Sequence, residues 1–121
     1  MKAVLLISHG SHFPKTTQEV KEFVVQLKEQ SDIAIVEYAF LEIASPSIPE
    51  GIDICVEKGA TKIIILLNFL NAGKHVDEDI PHIVDEARVK HPSVEITVTQ
   101  PIGKHEKIVK LFLDMIERSG Q

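Results

Sequence analysis

The chain has 121 residues and a mass of 13.5 kDa, enough for one domain with a real core but not for two. Its 44% hydrophobic and 26% charged residues are ordinary globular values and exclude a disordered, coiled-coil or fibrous chain. A net charge of -5 offers no broad basic face for nucleic acid, and no apolar run approaches the roughly 20 residues of a membrane helix, so a small polar ligand or a metal ion is the expected partner.

The first predicted strand is Ala3 to Ile7, apolar throughout, as expected for a strand covered on both faces. It is too short, and runs into Ser8-His9-Gly10 too soon, to read as a secretory signal. With a single cysteine no internal disulfide forms, and the cytoplasm is the expected compartment. Thr16-Thr17-Gln18-Glu19 reads as a capping box, and Val20, Phe23, Val24 and Leu27 follow at the spacing of a buried helical face. Ile33 to Phe40 is the second strand, where Glu37 interrupts the apolar run and points to the sheet edge.

After a loop from Leu41 to Pro46, Ser47-Ile48-Pro49-Glu50 reads as a second helix start and Gly59 as its stop. Cys55 shares helical spacing with Ile48, Ile52 and Val56 and is expected in the core as a small hydrophobe. Lys62 to Leu67 is the third strand. The turn after it, Phe69 to Pro81, leads into a helix whose acidic start, Asp77-Glu78-Asp79, suits a helix amino end and whose buried face is Ile80, Ile83, Val84 and Ala87. His91-Pro92-Ser93 ends that helix. Val94 to Val98 alternates like a half-exposed strand, and a last helix carries Ile108, Leu111, Phe112, Met115 and Ile116.

The order βαβαβαβα calls for an α/β fold: a four-stranded parallel sheet with right-handed crossovers and helices on both faces, over residues 1–121 as a single domain. The two fully apolar strands, first and third, belong in the centre, which gives strand order 2-1-3-4. In such a sheet the ligand crevice opens where the order reverses, between the first and third strands. His9 leaves the first strand and His75 follows the third, so both histidines border one crevice.

Two imidazoles suit a borderline divalent ion and leave most of its coordination sphere open, and the same groups accept protons near neutral pH. Hydrogen-bonding surface histidines are the bland alternative. His12, His82 and His105 are weaker candidates for the same crevice, and His91 reads as a turn residue.

Ser8-His9-Gly10-Ser11, Leu41-Glu42 followed by Pro46-Ser47-Ile48-Pro49, Phe69-Leu70-Asn71-Ala72-Gly73-Lys74-His75, Asp79-Ile80-Pro81 and Pro101-Ile102-Gly103 occur in that order. Together they resemble the small form of the CbiX and SirB sirohydrochlorin chelatases, the class II chelatase family. The resemblance implies insertion of a divalent metal, cobalt first with nickel and iron as alternatives, into sirohydrochlorin. It implies His9 and His75 as metal ligands and catalytic residues, with His9 the proton acceptor. Ser45 and the turn Leu70, Asn71, Ala72, Gly73 and Lys74 would contact the tetrapyrrole, with Lys74 and Lys104 balancing its carboxylates. Glu42 would serve as an acid/base group or remain a plain surface carboxylate. No tightly bound cofactor is implied, since the metal is a substrate, and a homodimer is implied because four strands are too few to enclose a macrocycle.

Two rivals use the same residues differently. A metallochaperone would bind the ion without turnover. A histidine phosphatase would need an arginine just before its first histidine, where this chain has Ser8, and no Gly-x-x-x-x-Gly-Lys loop for a nucleotide is present.

Overall fold

The computed structural model describes residues 1–120, with only the backbone of His75. Strands β1 (Lys2–Ser8), β2 (Ile35–Phe40), β3 (Lys62–Leu67) and β4 (Glu95–Pro101) form one parallel sheet in the order β2-β1-β3-β4, as the apolar runs require. Helix α1 (Pro14–Glu29) joins β1 to β2, α2 (Ile48–Glu57) joins β2 to β3, α3 (Ile80–Lys90) joins β3 to β4, and α4 (Ile108–Arg118) closes the chain. The sheet has helices on both faces. On one, Leu5, Ile7, Ile63 and Ile65 meet Ile48, Ile52 and Cys55 of α2 and Ile80 and Val84 of α3. On the other, Val4 and Val36 pack against Val24 of α1. Among the described residues no helix is long and apolar enough to cross a membrane.

The second helix starts as its residues demand. Ser47 Oγ accepts from Glu50 N–H at 3.3 Å while Glu50 Oε1 accepts from Ser47 N–H at 2.8 Å, a reciprocal box that also holds the Glu50 carboxyl below its usual range. The first helix does not start as predicted. It begins at Pro14, before the expected box at Thr16, because proline at the first helical position has its φ preset and no N–H left unpaired. Phe13 holds the cap position without a side-chain bond, and its N–H donates to Ser11 Oγ at 3.0 Å.

Phe23 also departs from expectation. Val20 and Val24 are buried, but Phe23 is 61% exposed, since α1 faces the sheet along a narrower stripe than the periodicity suggested. β2 begins two residues later than predicted, at Ile35, and β4 runs on to Pro101. A register shift between Ile65 and Leu67 lets β4 pair again, Leu67 against Pro101.

Cys55 is fully buried, and burial pushes its thiol up to about 12, so it is a core residue and inert as a nucleophile. His91 does more than end a helix. Its Nε2 lies 2.8 Å from Asp53 Oδ1, and Lys90 Nζ lies 2.9 Å from Asp53 Oδ2, tying α3 to α2. The hydrogen bond from Lys90, and then that to His91, hold the Asp53 carboxyl below its ordinary range.

This tie should be visible in stability. Asp53→Ala should lower the melting temperature at pH 7 by about 2–4 °C, the effect of roughly 0.5–1 kcal/mol from a partly screened ion pair. Because the folded-state value is depressed, the tie contributes above the unfolded carboxyl value of about 3.9 and is lost as pH falls through the lower folded value. The gap between the two proteins' melting temperatures should therefore begin to close below about pH 4 and shrink further as pH falls. A constant gap down to pH 2 would refute the assignment.

Candidate active site at the carboxyl ends of the strands

The last residues of β1 organise the loops around them. Ile7 C=O accepts from Asn68 N–H at 2.8 Å, Ser8 C=O from Leu41 N–H at 2.9 Å, and His9 C=O from Glu42 N–H at 3.1 Å. The ladders on both edges of β1 thus continue past the strands and fix where the loops after β2 and β3 depart. Ser8 is buried, and its Oγ accepts from Asn68 Nδ2 at 3.1 Å, which joins the ends of β1 and β3 beneath the crevice.

This backbone register brings His9 and Glu42 together. His9 Nε2 stands 2.9 Å from Glu42 Oε1, and the two side chains are 53% and 48% exposed, so the pair is formed yet open to a ligand. Two features of the main chain set its geometry. Gly10 has φ +109, and a Cβ there would run into the carbonyl of Glu42. Ile43 has φ +71, and Ala44 N–H donates to Glu42 C=O at 2.7 Å across it, a three-residue turn of the strained hand. A β-branched residue held in this region costs on the order of 1–3 kcal/mol, a kind of strain that clusters at functional sites.

The other predicted residues fall as follows. Leu70, Asn71, Ala72, Gly73 and Lys74 form an exposed turn between β3 and the widened helical turn His75–Asp79 that precedes α3. Gly103 N–H donates to Phe69 C=O at 3.0 Å, and a Cβ on Gly103 would strike the Leu70 carbonyl, so the loops after β3 and β4 are in close contact. Lys104 is exposed in the one-turn helix Ile102–Lys104 that follows β4.

His75 begins the widened turn, and its side chain, the second predicted ligand, lies outside the described residues. Ser45 is exposed, but it lines a shallow hollow with Glu50, Asp53 and Ile54 on the α2 side. His12 is exposed. His82 pairs with Glu86 at 3.0 Å one turn along α3 on the surface. His105 Nδ1 accepts from Lys107 N–H at 3.0 Å, and its ring lines an apolar hollow of about 420 Å³ with Leu66, Asn68 and Thr99. Among the described residues no three His, Cys, Asp or Glu side chains cluster as a closed metal site.

Sequence reasoning did not find Asn68, whose bond to Ser8 depends on strand register, or Ile43, whose conformation no residue preference announces. What the arrangement offers chemically is an accessible imidazole–carboxylate pair at the topological switch point, with exposed loops beside it to meet a large ligand.

A parallel α/β unit with an accessible imidazole–carboxylate pair at its switch point is an architecture that receives a ligand at the carboxyl ends of its strands. The model of the CbiX family matches residues 3–119, and the chain belongs to that family. It is 34% identical over 120 residues to a sirohydrochlorin ferrochelatase of Priestia megaterium, covering 99% of this chain and 45% of that protein. A sirohydrochlorin cobaltochelatase of Methanocaldococcus jannaschii is 28% identical over 138 residues, covering 94% of this chain and 96% of the other. Among solved structures, the sirohydrochlorin chelatase SirB from Bacillus subtilis subspecies spizizenii in complex with cobalt superposes with TM-score 0.86 at 32% identity, over 97% of this chain and 50% of SirB. The chain therefore spans about half the length of the Priestia protein and of SirB.

The Gly10 turn can be tested directly. Gly10→Ala should destabilise the fold by at least about 2 kcal/mol, from the strained φ together with displacement of the Glu42 loop. In the NMR spectrum it should also shift the His9 ring resonances. A melting temperature and a His9 spectrum both unchanged would show that Gly10 does not set the pair.

Proposed function

We propose that this chain is a sirohydrochlorin chelatase that inserts a divalent first-row metal into the macrocycle, with Co2+ the first candidate and Fe2+ and Ni2+ the others. The pairing of His9 with Glu42 at the switch point of a CbiX-family fold carries the reading. The names of the relatives support it, one a ferrochelatase, one a cobaltochelatase and one a chelatase bound to cobalt.

Insertion has two chemical requirements. The ion must arrive with a coordination sphere open enough to exchange ligands, and two pyrrole N–H protons must leave as it enters. In the proposed scheme His9 and His75 hold the incoming metal by two neutral imidazoles, a set weak enough to release it. As the metal passes to the four ring nitrogens, the freed His9 imidazole accepts one pyrrole proton and Glu42 the other. Until the second proton arrives, the Glu42 carboxylate, 2.9 Å from the ring, stabilises the His9 imidazolium. Charge balances, since one M2+ enters as two protons depart.

The exposed turn from Leu70 to Lys74 and the loop at Ser45 are assigned to the tetrapyrrole, with Lys74 and Lys104 facing its carboxylates. Residues 1–121 act in this reading as one chelatase-like unit in the cytoplasm. A second copy completes the cleft, because a four-stranded unit presents only one wall to a macrocycle.

The assay is anaerobic absorbance of sirohydrochlorin with Co2+, Fe2+ or Ni2+. The wild type should accelerate the spectral change, and His9→Ala and His75→Ala should each lower the rate by about 100-fold or more, as loss of a proton acceptor or ligand does. Glu42→Gln should slow insertion while metal binding persists. Metal binding with insertion at the uncatalysed rate would make the chain a metallochaperone and overturn the proposal.

A further inference from the structure

One residue beside the His9–Glu42 pair is held against its own preference. Among the described residues Ile43 alone, glycines aside, has a positive φ, +71. A β-branched side chain is poorly suited to this region, which glycine and asparagine enter far more readily.

The backbone explains the conformation. Phe40 N–H donates to Pro46 C=O at 2.8 Å and closes the loop at its base. Within it, Glu42 N–H donates to His9 C=O and Ala44 N–H to Glu42 C=O, one bond on either side of Ile43. Bonds at 40, 42 and 44 fix the path of the residue between them, whatever side chain it carries.

Those bonds do not explain why the residue is isoleucine. Its side chain packs in neither of the two apolar clusters of the core, although Leu41 packs against the larger one. Ile43 is 53% exposed. Asparagine or glycine would follow the same path with less strain and take nothing from the core.

What the isoleucine does supply is an apolar surface one residue from a carboxylate. Glu42 turns its carboxylate to His9, and Ile43 follows at the apex of the turn. A tetrapyrrole offers two kinds of surface, since its ring faces are apolar and its edge carries carboxylates. An edge set against this loop would bring like charge to Glu42. A ring face would cover Ile43 and leave water with it.

We infer that Ile43 seats the macrocycle, its side chain packing on a ring face so that the ring lies face-on to the loop after β2, beside the His9–Glu42 pair. The inference rests on the chelatase reading and adds to it the surface of the substrate that this loop receives. Strain in the free protein is the cost of holding that contact in place before the ligand arrives.

Two substitutions separate this contact from a role in the turn. Ile43→Asn accepts the left-handed conformation and removes the apolar surface, whereas Ile43→Leu keeps the surface without the branch at Cβ. Both should melt at or above the wild-type temperature and bind Co2+ alone as the wild type does, because the loop's hydrogen bonds and Glu42 are untouched. Quenching of sirohydrochlorin fluorescence, with no metal present, gives the affinity for the macrocycle. Ile43→Asn should raise that Kd about tenfold, while Ile43→Leu should stay within about twofold of the wild type. In the insertion assay Ile43→Asn should raise KM about tenfold and change kcat far less, as loss of a contact made equally before and during insertion does.

An Asn variant that binds the macrocycle as tightly as the wild type would overturn the inference. So would a Leu variant that loses as much affinity as the Asn variant, or an Asn variant that melts lower and loses Co2+ together with the macrocycle. Each of these outcomes leaves the chelatase reading standing. A wild type that binds no sirohydrochlorin would overturn that reading and this inference together.

Discussion

Parallel neighbours cannot be joined by a hairpin, so every crossover in this chain passes over a face of the sheet, and the handedness of that passage is fixed. β1 carries parallel ladders on both edges, to β2 and to β3. The chain must therefore leave β1 in one direction and later return across it in the other. That reversal produces the crevice at the carboxyl ends, sends α2 and α3 to one face and leaves α1 alone on the other. The candidate site and the unequal covering of the two sheet faces have one topological origin.

The site is made by backbone before it is made by side chains. Carbonyls of Ile7, Ser8 and His9 take successive N–H groups from the loops that follow β3 and β2, so the loop carrying Glu42 is held in register with the end of β1. The carboxylate reaches His9 because that register leaves it no other course, given the turn through Ile43 and the absence of a Cβ at Gly10. A strained turn beside an open imidazole–carboxylate pair keeps the pair in place when no ligand is bound, which lowers the ordering needed once a large ligand arrives.

Much of this was legible in the residues. The unbroken apolar runs of β1 and β3 identified the central strands, Glu37 and the alternation of β4 identified the edges, and strand order followed. Ser47 and Glu50 announced α2 because a capping box is a local device read from four adjacent residues. α1 starts earlier than its threonine box suggests because Pro14 sets its start more strongly than the threonines that follow. Phe23 shares the helical spacing of Val20 and Val24 yet is exposed, as is the apolar stripe of α4, because periodicity says only that a face is apolar and not what covers it. Contacts that join distant parts of the chain, such as His9 with Glu42, Asn68 with Ser8 and His91 with Asp53, depend on register and helix packing, and no sequence window contains both partners.

The same distinction explains why family membership and the shape of this unit bear on each other. Relatives such as the Priestia ferrochelatase and SirB are about twice as long as the stretch this chain matches. A chain of that length has room for a second surface against which an apolar helix and an open sheet face can be buried, whereas a four-stranded unit with α1 alone on one face has a deficit it cannot remove by itself. Leaving Phe112, Met115 and Ile116 in water forgoes about 25 cal/mol for each Å² of apolar surface that could be covered.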